Sequence, residues 1–302
     1  MIGKPLELDE GALLDAFWSG YTEEMDHTAT IAPQTIPSNK EKETYRWLDL
    51  LSMFADWTNL GSIPVASLTK EEYELANKKL GRNWLVDTYE LRRDGQGMIN
   101  RRAAAIGAGL PAKKNEMLQD KMTGADADEL LWDAQYFFDT AHPGRTAAGA
   151  ATTFSNDLGY SLTRANLQTT ISTMKQYRLQ NGQLANVTPT HLVVPSDLEW
   201  TAREILFSTQ TPEDANTATN PLFRGLQLAV FPNLADTNEW YVLDNSKGIS
   251  PFYWQEEKQL EVVPPSQDRD SYVKARTIEY SADASGAFGV SLWFLACKND
   301  PS

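Results

Sequence analysis

The chain has 302 residues, of which 41% are hydrophobic and 23% charged, so it can bury a large core and is not typical of a disordered protein. Its 41 acidic residues outnumber the 27 basic ones and give a formal net charge of −14. Proteins that bind DNA tightly need the opposite balance, because Lys and Arg must displace counterions from phosphates, so this class of function is excluded.

Cysteine content and apolar runs exclude further classes. The single cysteine, Cys297, allows neither an intrachain disulfide nor a thiolate metal cluster. The first residues lack the basic stretch and apolar run of a signal peptide, and no apolar run approaches the roughly 18 residues of a membrane span. We therefore expect a protein made in reducing cytosol with no membrane contact.

The first predicted element is a short amphipathic helix over residues 9–19, which Gly20 should end. Residues 26–44 are polar, contain two prolines and show no periodicity. They predict an extended arm that lies along another surface, for example that of a neighbouring subunit. Apolar residues return over 45–57.

A long β-hairpin is predicted over residues 71–93. Two runs in which apolar and polar residues alternate, one at Tyr73 and one at Trp84, are separated by Gly81. Because the centre of this stretch is hydrophilic, we expect the hairpin to project from the protein.

The middle of the chain has helical spacing. Residues 97–122 predict either one kinked helix or two helices that meet at Pro111. Residues 140–160 predict a loop rich in Gly, Ala and Thr, and residues 162–177 predict a further helix.

A short buried strand over residues 190–194 is the clearest local pattern. Ser196 and Glu199 then predict a capping box that opens a helix, and residues 209–220 predict a polar loop. Four strands are predicted towards the carboxyl end, at 227–231, 240–243, 274–280 and 288–296. Helices in the middle and strands at both ends, without an internal repeat, predict the α+β class.

No catalytic constellation stands out in the sequence. Of the three histidines, His27, His142 and His191, His142 follows Asp139 by three residues in a loop sequence. This pair offers acid–base or metal chemistry, but an Asx turn or a hydrogen bond that locks a loop is the favoured interpretation. Zinc-protease, P-loop, dinucleotide-binding and nucleophile-elbow motifs are absent. We therefore predict no enzymatic activity, no cofactor and no metal site.

Three segments carry a resemblance to one protein family. They are residues 135–139 with His142 and Pro143, residues 188–195, and residues 220–234 followed by Trp240 and Tyr241. In their order and spacing, and over nearly the full length, they resemble the major head subunit of Mu-like phages.

The resemblance implies an α+β, Hong Kong 97 (HK97)-like major capsid fold. This fold has an N-terminal arm, an extended hairpin loop (E-loop), a spine helix, a peripheral domain and an axial domain. The ranges implied are an arm at 1–44, a peripheral domain at 45–159 and 246–302, an E-loop at 62–94, a spine helix at 97–123 and an axial domain at 160–245.

The implied function is that of a major capsid protein. Copies would assemble as hexamers and pentamers in the bacterial host cytoplasm, into the icosahedral head shell around the double-stranded DNA of a tailed phage. Implied partners are a portal protein, a separate scaffolding protein and protease, and decoration proteins, with non-specific contact to packaged DNA and no membrane. Four aromatic residues are candidate anchors between subunits or else core residues, namely Phe17, Trp18, Trp84 and Tyr89.

Covalent crosslinking is not expected. Some shells of this fold join subunits through a Lys–Asn isopeptide bond, and Lys78 or Lys79 lies where such a lysine would be, but nothing in the sequence marks a partner.

Two other functions stay open at this stage. One keeps the fold and makes the chain a subunit of an encapsulin-like cellular nanocompartment. The other is a soluble carboxylate-based hydrolase that uses Asp139 and His142. The size of the particles, and whether nucleic acid or a protein copurifies with them, would distinguish a nanocompartment from a phage head. Enzymatic turnover by a monomer that is abolished by His142→Ala would support the hydrolase.

Overall fold

The computed structural model describes residues 10–23, 27–45, 73–94, 97–124, 130–179, 182–209, 220–222, 224–263 and 276–301. Its helices are α1 Glu10–Glu23, α2 Thr28–Ile31, α3 Thr88–Arg93, α4 Met98–Gly107, α5 Gly109–Thr123, α6 Arg164–Gln176 and α7 Glu199–Phe207. Its strands are β1 Gln34–Pro37, β2 Lys42–Tyr45, β3 Tyr73–Ala76, β4 Lys78–Asp87, β5 His142–Arg145, β6 Ala151–Phe154, β7 Asp157–Leu158, β8 His191–Val194, β9 Gln227–Val230, β10 Trp240–Leu243, β11 Phe252–Val263, β12 Thr277–Val290 and β13 Ala296–Asn299.

A four-stranded sheet has the order β1-β11-β12-β4. The long strands β11 and β12 pair in antiparallel fashion, β4 pairs antiparallel with β12 along its ten residues, and β1 pairs parallel with β11. Helix α5 packs against β12, and α1 packs against α4 and α5. This sheet and its helices form one layered half of the molecule.

A five-stranded sheet has the order β7-β13-β10-β8-β9. Strand β10 lies between β13 and β8, and each of its four residues is buried, as expected for a central strand covered on both faces. Helix α6 packs against β13 and α7 against β9. Two smaller antiparallel pairs, β2 with β3 and β5 with β6, complete the sheets.

One continuous hydrophobic core joins the two large sheets. Phe137 packs on Phe252 of β11 with ring centroids 5.4 Å apart, and the next residue, Phe138, packs on Tyr241 of β10 at 5.5 Å. A smaller cluster below α1 and α4 contains Tyr280 and Val86. Burying aromatic side chains of this size is a large part of what stabilises the subunit.

Helices α1 and α4 approach closely because each presents a glycine to the backbone of the other. A Cβ on Gly20 would lie 1.9 Å from the carbonyl oxygen of Ala104, and one on Gly107 would lie 2.0 Å from that of Phe17. The expectation that Gly20 ends the first helix is therefore wrong. The residue is a packing contact inside α1, and the helix continues to Glu23.

The predicted hairpin over 71–93 is wrong in its pairing. Strand β3 pairs with β2, whereas β4 pairs with β12, and only Asn77 separates β3 from β4. Gly81 lies inside β4 opposite Asp283 and makes no turn. The alternation of apolar and polar residues was a correct strand signal, but it does not reveal which strands pair.

The predicted arm at 26–44 is extended over much of its length but pairs with the protein's own strands. Strand β1 is parallel to β11, and β2 is antiparallel to β3. Each of these two strands therefore pairs with a strand of its own chain. The amino end of the arm, residues 1–9, and the first part of the predicted E-loop, 62–72, lie outside the described residues, as does most of the loop at 209–220.

Two separate strands were predicted at 274–280 and 288–296. The structure instead has one long strand, β12, over Thr277–Val290, and residues 274 and 275 are not described. The Ser, Ala and Gly residues between the two predicted strands continue the strand. A Cβ on Gly286 would lie 2.3 Å from the ring of Trp254, and one on Gly289 would lie 2.5 Å from the ring of Tyr253. The small residues make room for aromatic rings of β11.

Other elements agree with the sequence more closely. The helical range 97–122 is confirmed as α4 and α5, which meet at Ala108 rather than at Pro111, since proline fits the first turn of α5. Helix α6 and strands β8, β9 and β10 are confirmed. The loop at 140–160 instead contains the hairpin β5–β6.

The predicted capping box at Ser196 is wrong. Residues Ser196–Leu198 form a 3₁₀ turn, and neither this turn nor α7 has a side-chain hydrogen bond at its N-cap. The domain ranges remain a prediction. Strand β13 lies beyond the predicted axial range 160–245 but joins the same sheet as β8, β9 and β10.

Two glycine-to-alanine substitutions, one at the contact between α1 and α4 and one away from it, test how closely these helices pack. Gly107→Ala should lower the free energy of unfolding by about 2 kcal/mol, because the new methyl group collides with the α1 backbone. Gly109→Ala meets no heavy atom within 4 Å and should leave stability unchanged or raise it by up to about 1 kcal/mol. Denaturant unfolding of both variants measures the difference, and equal losses would contradict the close crossing.

Candidate functional site

His142 lies in a buried polar cluster between several segments. Its Nδ1 is 2.7 Å from Oδ2 of Asp133, and its Nε2 is 3.1 Å from Oδ1 of Asn156. The imidazole stacks on Trp293 with centroids 4.1 Å apart and planes 4° from parallel. The side chains of His142 and Asp133 are fully buried.

The amide of Asn156 fixes the hydrogen-bonding roles in this cluster. Its Nδ2 donates to the backbone carbonyls of Phe137 and Trp293, so its Oδ1 is the acceptor that faces His142. The imidazole thus bridges the Asn156 amide at Nε2 and the Asp133 carboxylate at Nδ1. Such a fully satisfied buried network rigidifies the segments that it joins.

Asp139 does not act with His142. Its Oδ1 accepts a hydrogen bond from the amide N–H of Ala141, which is an Asx turn, while His142 faces Asp133 and Asn156. The favoured interpretation, an Asx turn and a loop-locking histidine, is confirmed. The hydrolase hypothesis loses its site, since a fully buried imidazole cannot reach a substrate in this conformation.

The other two histidines lie apart from this cluster. The ring of His27 is 5.6 Å from that of Phe231. His191 opens β8, and its Nδ1 is 2.8 Å from the hydroxyl of Thr190. Burial lowers the pKa of His191, with hydrogen bonding to Gln227 opposing the shift. Among the described residues, no group of three or more His, Cys, Asp or Glu side chains could hold a metal ion.

A second buried polar group has no local signal in the sequence. The hydroxyl of Tyr241 donates to Oε1 of Glu239 at 2.5 Å, and Nζ of Lys298 lies 3.4 Å from the same oxygen. Burial raises the pKa of the Glu239 carboxyl, and Tyr241 and Lys298 oppose the shift. The pairing of β10 with β13 places Tyr241 opposite Lys298, so only the fold brings these residues together.

The four candidate anchors separate into core and surface residues. Phe17 stacks on Trp84 at 5.4 Å, and Trp84 stacks on Tyr280 at 5.2 Å, so Phe17 and Trp84 belong to the packing below α1. Trp18 and Tyr89 are 40% and 57% exposed. Only these two remain candidates for contact with another subunit.

Sequence reasoning missed the most exposed large apolar side chain among the described residues. Trp200, on α7, is 77% exposed, and Phe207 is exposed on the same side of the helix two turns later. Indoles are more often buried against protein in folded chains. This face of α7 is therefore a candidate contact surface.

Within the described part of the chain, no helix is both long enough and apolar enough to cross a bilayer. The polar clusters around His142 and Glu239 are buried and bonded internally, whereas α7 presents an exposed apolar face. The arrangement is suited to binding other protein molecules rather than to catalysis.

The sequence matches the model of one protein family, described as Mu-like prophage major head subunit gpT, over residues 8–161, 159–234 and 231–301. A curated relative, the Mu-like prophage FluMu major head subunit of Haemophilus influenzae, is 28% identical over 125 residues. These make up 41% of this chain and 37% of the relative, so the match spans well under two thirds of that relative's length.

Two solved structures are similar in fold. A chain of the procapsid of bacteriophage JBD30 is 17% identical with a TM-score of 0.55, and the match covers 97% of this chain and 74% of that one. A virus-like particle from Pyrococcus furiosus is 8% identical with a TM-score of 0.52, covering 96% and 98%. The α+β, HK97-like capsid fold expected from the sequence is thereby confirmed.

Removing Asp133 tests the buried cluster. Asp133→Ala leaves Nδ1 of His142 buried without its hydrogen-bond partner and should lower the free energy of unfolding by about 3 kcal/mol. Glu199→Ala, which breaks an exposed pair with Arg203, should lower it by less than about 1 kcal/mol. Denaturant unfolding measures both, and a loss at Asp133 as small as that at Glu199 would contradict a structural role.

Proposed function

The chain belongs to the Mu-like prophage major head subunit family, and we propose that it is a major capsid protein that assembles with copies of itself into the head shell of a tailed phage. The observation that carries this proposal is the family match, which extends from residue 8 to residue 301. The family and the fold are those of a structural capsid protein, not of an enzyme.

The surface of the subunit supports assembly. The exposed face of α7 with Trp200, together with Trp18 and Tyr89, is apolar surface that association would bury. In addition, β4 is a ten-residue edge strand that pairs on one side only in its sheet. Such edges invite pairing with another chain unless something covers them.

We propose hexamers and pentamers as the units of this shell, with the axial range 160–245 around the centre of each. Heterologous contacts, in which different surfaces of two copies meet, generate such rings when the rotation between the copies closes. The many weak contacts of a shell reinforce one another, because each bound neighbour raises the effective concentration of the next.

The remaining partners in this proposal are those of a phage head assembled in the host cytoplasm. They comprise a portal protein, a separate scaffolding protein and protease, and decoration proteins. The net charge of −14 supports only passive contact with the packaged DNA, since an acidic wall does not hold phosphates.

An encapsulin-like nanocompartment is the second candidate, and the fold likeness to the Pyrococcus furiosus virus-like particle favours it. That likeness concerns the fold alone, whereas the sequence match is to a phage head family. Nucleic acid inside purified particles would support the phage shell, and a copurifying protein cargo would support the compartment.

Particle formation by the unchanged chain and by a Trp200→Ala variant tests the proposed assembly. The purified chain should form large particles in light scattering and negative-stain images. Trp200→Ala should lower the assembled fraction while changing the free energy of unfolding of the subunit by no more than about 0.5 kcal/mol, because the indole is exposed.

Thr201→Ala, at the adjacent exposed position of α7, is the matched control and should assemble like the unchanged protein. Normal particle yield from Trp200→Ala would remove this side chain from the contacts, and a monodisperse monomer from the unchanged chain would overturn the proposed function.

A further inference from the structure

Large exposed apolar side chains gather at a second place on the described surface, away from α7. Leu85 of β4, Tyr89 of α3 and Met98 of α4 are 59%, 57% and 56% exposed. Of the large apolar residues that the structure describes, only Trp200 is more exposed than Leu85 and Tyr89. Single exposed apolar residues are ordinary, but a group of them marks a contact surface.

Arginine side chains lie among these apolar residues. Met98, Arg101 and Arg102 share one face of α4, because they are three and four positions apart. Arg102 also lines a small hollow together with Leu85, so the end of β4 adjoins this face. We call Leu85, Met98, Arg101 and Arg102 the α4 patch.

The α4 patch carries positive charge that its own subunit does not neutralise. Both of its arginines are exposed, and neither forms an ion pair within the part of the chain that the structure describes. Glu90 of α3 lines the hollow beside Arg102, and the exposed Arg93 of the same helix offsets its charge. In a protein with a net charge of −14, such a surface fits an occupant that is both apolar and acidic.

The exposed face of α7 has this composition. Trp200, Glu204 and Phe207 follow one another at intervals of four and three positions and form one stripe, which we call the α7 face. Glu204 is exposed and forms no ion pair with a described residue, and the same holds for Asp197 in the preceding 3₁₀ turn. The other two charged residues of α7 neutralise each other in an ion pair of 2.8 Å.

We propose that the α7 face of one copy binds the α4 patch of a second copy. Glu204 pairs with the arginines of the patch, and Trp200 covers its apolar residues. Both surfaces are exposed in the same subunit, so they do not meet within one chain. The contact joins two different surfaces, which makes it heterologous and able to repeat from copy to copy. This inference rests on the proposed self-assembly and names the two surfaces of one of its contacts.

The size of the two surfaces indicates how the contact acts. A helix face against a patch of four residues buries less than the roughly 1,200 Å² of a specific stable complex. The contact therefore stabilises an assembly together with others, since each bound neighbour raises the effective concentration of the next. Its loss should appear in the yield of particles.

A second cationic surface of the chain fits the α7 face less well. Arg164 and Lys175 lie on one side of α6, about three turns apart, and neither forms an ion pair with a described residue. The apolar residue between them on that side, Ile171, is half-buried and packs against the core. This side of α6 offers charge without exposed apolar surface, so it supplies the control.

Charge reversal with rescue tests the proposal in full-length chains. Glu204→Arg places like charges opposite each other and should lower the yield of large particles several-fold, as should Arg101→Glu combined with Arg102→Glu. The variant that carries all three substitutions restores opposite charges and should regain most of the yield. Size-exclusion chromatography with light scattering measures the yield, and denaturant unfolding shows that each subunit is folded.

Glu204→Arg combined with Arg164→Glu is the matched control, and it should stay as deficient as Glu204→Arg alone. Rescue by Arg164→Glu would overturn the proposal, because it would place α6 in the contact. So would a normal particle yield from Glu204→Arg, or a folded triple variant that regains nothing.

The failure of this contact and the failure of the capsid function are distinguishable. Normal particles from every variant would leave the capsid function intact and refute the contact. If the unchanged chain forms no large particle, a short bismaleimide applied to a mixture of Glu204→Cys and Arg102→Cys copies tests the contact alone, since Cys297 is fully buried. A crosslinked heterodimer would then support the contact and count against the shell, and its absence would refute both.

Discussion

The subunit depends on one packing constraint, which is that aromatic rings of β11 lie across the neighbouring strand β12. Trp254 and Tyr253 occupy the space where side chains of Gly286 and Gly289 would be, so this stretch of β12 must remain small. The arrangement lets the strand continue for fourteen residues, buried at its carboxyl end. Close packing of this kind tolerates little change in volume.

From the end of β12 the chain makes one 3₁₀ turn, Trp293–Leu295, and then supplies β13 to the other large sheet. Trp293 in this turn is the residue on which His142 stacks, and its carbonyl accepts from Asn156. The two sheets are therefore joined covalently, by a hydrogen-bonded cluster and by the Phe137 and Phe138 contacts. Because the two sheets are connected in these three ways, we expect them to move together rather than independently.

The sequence predicts elements whose signal is local and fails where the cause is distant. Periodicity identified α4, α5 and α6, and short apolar runs identified β8 to β10, because burial on one face or both leaves a regular pattern. The Ser, Ala and Gly residues of β12 have low strand propensity, and only the rings of β11 explain them. The prediction that Gly20 ends α1 was wrong for the same reason. Glycine is required there by the backbone carbonyl of Ala104, which is remote in sequence.

The candidate site shows the same division. The sequence marked His142 and its loop, and the turn at Asp139 follows from residues that are close together. The partners Asp133 and Asn156 could not be assigned from sequence, and Glu239 with Lys298 had no signal, since strand pairing creates these contacts. The sequence could not predict that Trp200 is exposed either, because a tryptophan at helical spacing is normally a core residue.

The structure combines a well-packed hydrophobic core with exposed apolar side chains on its surface. Its buried polar clusters are bonded internally, so the subunit does not need a partner to satisfy them. Yet it exposes apolar side chains such as Trp200 and Tyr89. A net charge of −14 opposes indiscriminate association of such a surface, because like-charged chains repel unless a specific contact brings opposite charges together. Contacts that pair opposite charges would permit ordered assembly where apolar surface alone would favour aggregation.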